Sequence, residues 1–366
     1  MVTARVFGYS GMMDPVKPTD SPAPASTPLL ASTTDVHDAA QPQVSDDGTV
    51  RYEPSAVTDI TGDDRAAAGP RTIYYAVRLP LILFLLSCVS IFIAGCSHWW
   101  PQDVLTACLN QLNLTPLRRS ILAEWPTGLA FMCSLLGILL AHEMGHFVMT
   151  MIYRVRATLP LVIPFPLSPI GTMGAVIVME GGKANRREIF DIGIAGPLAG
   201  LIVAIPVLWL GITQLDLQEA AYGIVSVKPP LLMDWWLQAA HPGSWKSGAW
   251  LGQLNPYLMA GWTGLFFTGL NMFPVGQLDG GHITYCLLGR RAHWLARGLM
   301  VLTFAYFAYT GNTMLILMAL LVMLMGTDHP PTSDDTVPLG WPRIILGWAS
   351  LIIPIVCLTP EVMAIR

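Results

Sequence analysis

The sequence predicts an all-α polytopic membrane protein of about six or seven transmembrane helices, interrupted by a re-entrant β-hairpin beside a candidate metal site. Three observations predict it. The 366 residues are 53% hydrophobic and only 12% charged, with a mean hydropathy of +0.53, whereas soluble domains are roughly 25% charged. Several uncharged runs approach the ~20 residues that cross a bilayer. One of these runs nevertheless contains His142-Glu143-Met144-Gly145-His146, three ionisable groups where such groups are costly and mark function. This composition excludes a water-soluble globular enzyme, and no basic patch suggests a nucleic-acid partner.

In chain order, residues 1–70 come first, an acidic tail rich in Pro, Ser, Thr and Asp and too polar to bury a core, read as disordered. They hold ten acidic and four basic residues, net −6, which leaves +2 for the rest of a chain whose formal charge is −4. No apolar run follows a basic start, so a cleaved signal peptide is not expected, and the aspartates argue against an organelle transit peptide. Residues 71–327 are expected to form the core and 328–366 a C-terminal segment with a final span.

The first span is expected at Leu79–Ser97 and the second, carrying the histidines, at about Thr127–Thr150. Residues 157–179 are also uncharged, but Pro160, Pro164, Pro166 and Pro169 remove backbone donors, and Gly171–Met179 reads as strand. Non-helical backbone at membrane depth requires protein or a water-filled cavity around it, hence the re-entrant hairpin. Further spans are expected at about Ile192–Thr213, Tyr257–Gly276 and Trp341–Pro360. Gly298–Gly326 has no charge and reads as two short helices about a Gly311-Asn312 turn, or as one long one. Trp235, Trp236, Trp245 and Trp250 in the 214–255 loop suit a headgroup interface. The six cysteines show no CxxC spacing and read as inert thiols, with Cys96–Cys108 a conceivable pair.

Lysine and arginine set the orientation. With the N-terminus inside and seven spans, inner segments hold 15 of these residues and outer segments 5.

The two histidines of His142-Glu143-Met144-Gly145-His146 stand four residues apart on one helix face, where both can bind one Zn²⁺ while Glu143 reaches a bound water. A polar cluster that only packs helices is the competing reading. A catalytic zinc needs a third protein ligand. Asp279 is the candidate, because Pro274 and Gly276 should unwind the fourth span's end and let it turn inward; His282 is its rival. His146 lies eight residues, about 12 Å, before the inner flank at Arg154, so both motifs reach the same cytoplasmic half. Asn271, one turn before Pro274, is a candidate donor to substrate backbone or oxyanion, or else a helix–helix bond. Gly196, Pro197 and Gly200 read as small residues for close helix packing, and Asp191 as a cap or a partner of a ligand.

These residues resemble the site-2 protease family of intramembrane zinc metallopeptidases. HEMGH is similar to that family's HExxH, and Asn271-Met272-Phe273-Pro274 with Leu278-Asp279-Gly280 is similar to its NxxPxxxLDG. Pro164-Phe165, Gly171-Thr172-Met173-Gly174 and the stretch from Phe190 to Gly200 extend the likeness over roughly residues 75–290. His329-Pro330-Pro331 is similar to members of the plant and cyanobacterial branch. No PDZ insertion or CBS pair is visible, as in a minimal form. The resemblance implies one zinc per chain held by His142, His146 and Asp279, with Glu143 as general base. It implies a transmembrane protein or peptide as substrate, cut within the lipid bilayer. The expected location is a bacterial cytoplasmic membrane, with a thylakoid or other organelle membrane as the alternative. A secondary transporter, a membrane zinc protease of another class and a non-proteolytic zinc-containing relative are the rivals.

Overall fold

A computed structural model describes residues 43–44, 50–51, 70–217, 225–245, 249–250, 253–310, 326, 328–359 and 363–365. The chain divides into two compact units, Met1–Asp64 and Arg65–Arg366. In the first, two short strands, β1 (Gln43–Val44) and β2 (Val50–Arg51), pair antiparallel; the remainder of the expected acidic tail lies outside the described residues.

In the second unit, α1 (Pro70–Cys96) leads to α2 (Pro101–Gln111) and then α3 (Thr115–Ile152). At 38 residues α3 measures about 57 Å at 1.5 Å per residue, nearly twice a bilayer core. It kinks at Glu124, whose φ/ψ of −122°/18° is non-helical, two residues before Pro126, so the histidine-bearing part is a separate straight run. An antiparallel hairpin follows, β3 (Leu161–Pro164) with β4 (Thr172–Val176), where the prolines excluded a helix. Helix α1 holds it through Ser87 Oγ, which donates to the Val162 carbonyl at 3.0 Å, and Ser90 Oγ, which donates to that of Gly171 at 2.6 Å.

Helix α4 (Arg186–Thr213) starts at a capping box in which Asn185 accepts from the Arg187 and Glu188 amides while Glu188 accepts from the Asn185 amide. Beyond it lie β5 (Val225–Val227), α5 (Leu231–Ala240) and β6 (Ala249–Trp250). Trp235 is exposed, Trp236 meets Trp209 edge-on, and the Trp245 indole donates to Asp234 at 2.7 Å. The chain continues through α6 (Pro256–Asn271), α7 (Asp279–Leu288), α8 (Arg291–Thr310), α9 (Trp341–Ser350), α10 (Ile353–Cys357) and β7 (Met363–Ile365), which completes the sheet β6-β5-β7.

Among the described residues, three helices are long and apolar enough to cross a membrane: Val77–Cys96, Thr115–Ile152 and Arg186–Thr213. The expected fourth span stops at Asn271 after 16 residues, and the expected last span is broken at Leu351-Ile352. Most of the disputed stretch between Gly298 and Gly326 lies outside the described residues. The core has α3 against α4, α4 against α6 and α1 against α3, with Ile91, Phe131, Leu208 and Leu258 fully buried. A second cluster, Phe190, Met272, Ile283 and Cys286, locks the start of α4 to α7. All six cysteines are free thiols, so Cys96 and Cys108 are not joined.

Candidate metal centre

Three elements supply the site. The straight part of α3 turns His142, Glu143 and His146 inward, and all three are buried. Helix α6 ends at Asn271, and the next residues unwind through a short turn in which the Val275 amide donates to the Phe273 carbonyl and Gly276 adopts φ +59°. Helix α7 then begins with Asp279 in its first turn. The break falls where Pro274 and Gly276 predicted it. Gly280 seals the bend: a Cβ there would lie 2.0 Å from the Met272 carbonyl oxygen, so no larger residue lets α7 start against that turn.

Two side-chain oxygens and two ring nitrogens converge. His142 Nε2 lies 3.1 Å from Asp279 Oδ2, His146 Nε2 lies 3.3 Å from Asp279 Oδ1, and the two Nε2 atoms are 3.2 Å apart. Ligands at about 2.0–2.1 Å from a tetrahedral Zn²⁺ sit roughly 3.3 Å from one another, so this donor set fits the ion. The tautomer also fits. His146 Nδ1 donates to the Ile192 carbonyl of α4 at 2.7 Å, which leaves its Nε2 lone pair free to ligate.

The glycines of α4 make this possible. A Cβ on Gly196 would lie 2.0 Å from His146 Nε2, and one on Gly200 would lie 3.1 Å from His142 Nδ1. Their sequence reading as small packing residues holds, but what packs against them is the imidazole pair itself. The spacing of small residues gave no sign of which atoms cover them.

Of the other candidates, Asn271 Nδ2 lies 3.2 Å from His142 Nε2, at the rim of the donor set. His282 stands apart from the three donors and bonds through Nδ1 to His329 Nε2. Asp191 is a clasp between helices: it accepts from Tyr153 Oη at 2.5 Å and, bidentately, from Arg343 at 2.7 and 2.8 Å. It thereby ties the end of α3 to α4 and α9.

A cavity of about 750 Å³ opens onto the three donors and Glu143, a size within the usual range of ligand sites. One part of its wall is β4 and its continuation from Gly174 to Val178. Strand β3 occupies one edge of β4, and Ile177, in the strand's continuation, lines the cavity together with Glu143. Another part is His329-Pro330-Pro331-Thr332, whose significance for the cavity sequence reasoning missed although the motif itself stood out.

Comparison with protein families matches residues 130–310 to Peptidase family M50. The Arabidopsis thaliana protein named probable zinc metalloprotease EGY1, chloroplastic, is 29% identical over 302 residues, 80% of this chain and 54% of its own length. The protein of the same name from Oryza sativa subsp. japonica is 30% identical over 290 residues, 76% of this chain and 49% of its own. Arabidopsis EGY2, likewise named a probable chloroplastic zinc metalloprotease, is 26% identical over 213 residues, 55% of this chain and 36% of its own. The chain thus spans about half the length of the first two relatives. The family match begins in the middle of α3 and takes in the His-Glu-x-x-His motif, the hairpin, the glycines of α4 and the Asp279 turn. Residues 130–310 thus match peptidase family M50, the site-2 protease family, and over most of its length the chain is similar to the plant EGY zinc metalloproteases.

Proposed function

We propose that this protein is an intramembrane zinc metalloendopeptidase that hydrolyses peptide bonds within or near transmembrane segments of membrane-protein substrates. The observation that carries the reading is the triangle of His142, His146 and Asp279 donors 3.1–3.3 Å apart, with buried Glu143 beside it in the run of α3 after the kink, which has no other charged residue. In this reading His142, His146 and Asp279 hold the metal, one per chain. A zinc ion bound there supplies a Lewis acid for the scissile carbonyl and acidifies water toward neutrality. Glu143 takes the proton of the attacking water and returns it to the leaving amine. The retention of Glu143 supports hydrolysis, since coordination alone has no use for it. Asn271, at the rim of the site, orients the substrate backbone or its developing oxyanion.

A transmembrane substrate is a closed helix and must be extended before attack. The edge of β4 not paired with β3 supports docking by strand addition, which brings an extended segment along the wall of the cavity that Glu143 also lines. The excess of Lys and Arg on the inner segments supports a cytoplasmic N-terminus and a site facing the cytoplasm. We place the chain in a bacterial cytoplasmic membrane; the matched relatives are named chloroplastic, and fractionation of source cells decides between that membrane and a thylakoid.

The test is zinc content together with cleavage of a model transmembrane substrate, for wild type, Glu143→Gln and Asp279→Ala. The expected result is one zinc per wild-type chain, full metal with no cleavage in Glu143→Gln, and weakened metal in Asp279→Ala. Zinc without cleavage of any substrate turns the assignment to a non-proteolytic zinc-containing relative, and a metal-free wild type refutes the site.

A further inference from the structure

The segment from Asp328 to Pro338 is a strap across the ends of α4, α7 and α8. Arg297 of α8 pairs with Asp328 at 2.7 Å. The Tyr285 ring of α7 stacks on His329 with centroids 4.4 Å apart, and its hydroxyl donates to Asp335 at 2.8 Å. The Ser333 amide donates to the Ala184 carbonyl at 2.9 Å, and Arg187 donates to the Pro338 carbonyl at 2.9 Å. Three elements, α8, α7 and the start of α4, therefore fix the strap where it borders the cavity.

Within it, His329 is buried while Pro330 and Pro331 are exposed on the cavity wall. Their backbone has little left to offer a ligand. Prolines carry no N–H, and the Thr332 hydroxyl donates to the Asp335 carboxylate at 2.6 Å. The His329 carbonyl already accepts from His293 Nε2 at 3.2 Å, and the Pro330 carbonyl accepts from His329 Nδ1. The cavity thus has one wall made of a strand edge and another made of two rigid rings that present no amide donor.

We propose that Pro330 and Pro331 are specificity-determining residues of the peptidase, forming an apolar wall that confines the substrate to one extended strand paired only with β4. This rests on the protease reading above. A substrate strand paired on both edges becomes the centre of a sheet and leaves slowly; a wall without donors prevents the second pairing and favours release of the products. The fixed rings also set which residue of the substrate stands at the site, since apolar side chains beside the scissile bond must fit against them.

The experiment compares wild type with the double variant Pro330→Ala/Pro331→Ala on a model transmembrane substrate, with cut bonds mapped by mass spectrometry and zinc counted in both. The double variant is expected to raise KM about tenfold, the lower end of what apolar pocket contacts contribute to discrimination, and to cut at neighbouring bonds as well, with zinc unchanged. An unchanged KM and cut site overturns the proposal, as does a loss of zinc that parallels the loss of cleavage. Should the double variant fail to fold, p-benzoylphenylalanine in place of Pro331 in a Glu143→Gln protein is expected to crosslink to the substrate. A crosslink from the same group at Val178 but none from position 331 overturns the wall. A wild type that cleaves nothing, like Glu143→Gln, fails the protease reading itself, whereas a cleaving wild type with an unaltered variant fails only the wall.

Discussion

Gly196 faces the ring nitrogen of His146 so closely that Gly196→Ala, the smallest possible change, displaces a donor without touching the donor residues. We expect it to weaken zinc binding about 10–100-fold, as loss of a ligand's supporting contact does, measured by competition with a chelator in detergent. Gly137→Ala is the matched control, since a Cβ there meets nothing within 4 Å, and it should retain its zinc. At this scale the sequence spoke clearly about His142, Glu143 and His146, because helical spacing alone puts them on one face. Asp279 was legible through Pro274 and Gly276, which together at the end of an apolar run favour an unwound turn. The glycines were legible as small and illegible as neighbours of imidazole, because a contact between two helices depends on their relative rotation and depth, which no local pattern encodes.

On the proposals above, the hairpin and the strap are the elements on which substrate handling depends. Gly174 sits in β4 at φ +109°, a conformation other residues rarely adopt, and its amide already donates to Thr172 Oγ1 at 3.0 Å. Gly174→Ala should therefore distort the strand edge at a cost of about 1–3 kcal/mol and slow cleavage about tenfold or more while zinc stays bound, measured as kcat/KM beside metal content. In the strap, burial pushes the Asp335 carboxyl upward, but the Thr332 and Tyr285 hydroxyls and the Thr332 amide outweigh it and hold it below its ordinary value. A carboxylate held low in the folded state stabilises above its unfolded pKa of about 3.9 and loses that contribution as pH falls through the folded value. Protection of the 328–338 amides, corrected for the intrinsic exchange rate at each pH, should consequently be lower at pH 3 than at pH 6, and Asp335→Asn should remove most of that difference. The extents of the elements were partly legible: α4 runs to the expected Thr213, and four prolines foretold the hairpin. The fourth span ends five residues before the expected Gly276, since hydropathy continues through Met272-Phe273 although Pro274 forbids the helix. The strap left no periodic signal, because it is held by side chains from distant helices rather than by its own backbone.

For the whole molecule, the distribution of Lys and Arg makes a prediction about sidedness. In a background without the exposed Cys133 thiol, a membrane-impermeant thiol reagent should label Gln238→Cys from outside and Lys183→Cys only after permeabilisation. The reverse pattern inverts the orientation and moves the site to the other compartment. Composition alone declared a membrane protein, and the long apolar helices agree with it. What composition left open was how far apart in the chain the parts of one cavity lie. His142 and His146 come early, Asp279 follows well after them, and Pro330 and Pro331 come later still. A ribosome adds roughly 5–20 residues per second, so a nascent chain owns its metal donors for some seconds before the rings at 330 and 331 exist. During those seconds the chain carries the three donors but not yet the two rings that, on the proposal above, select what is cut.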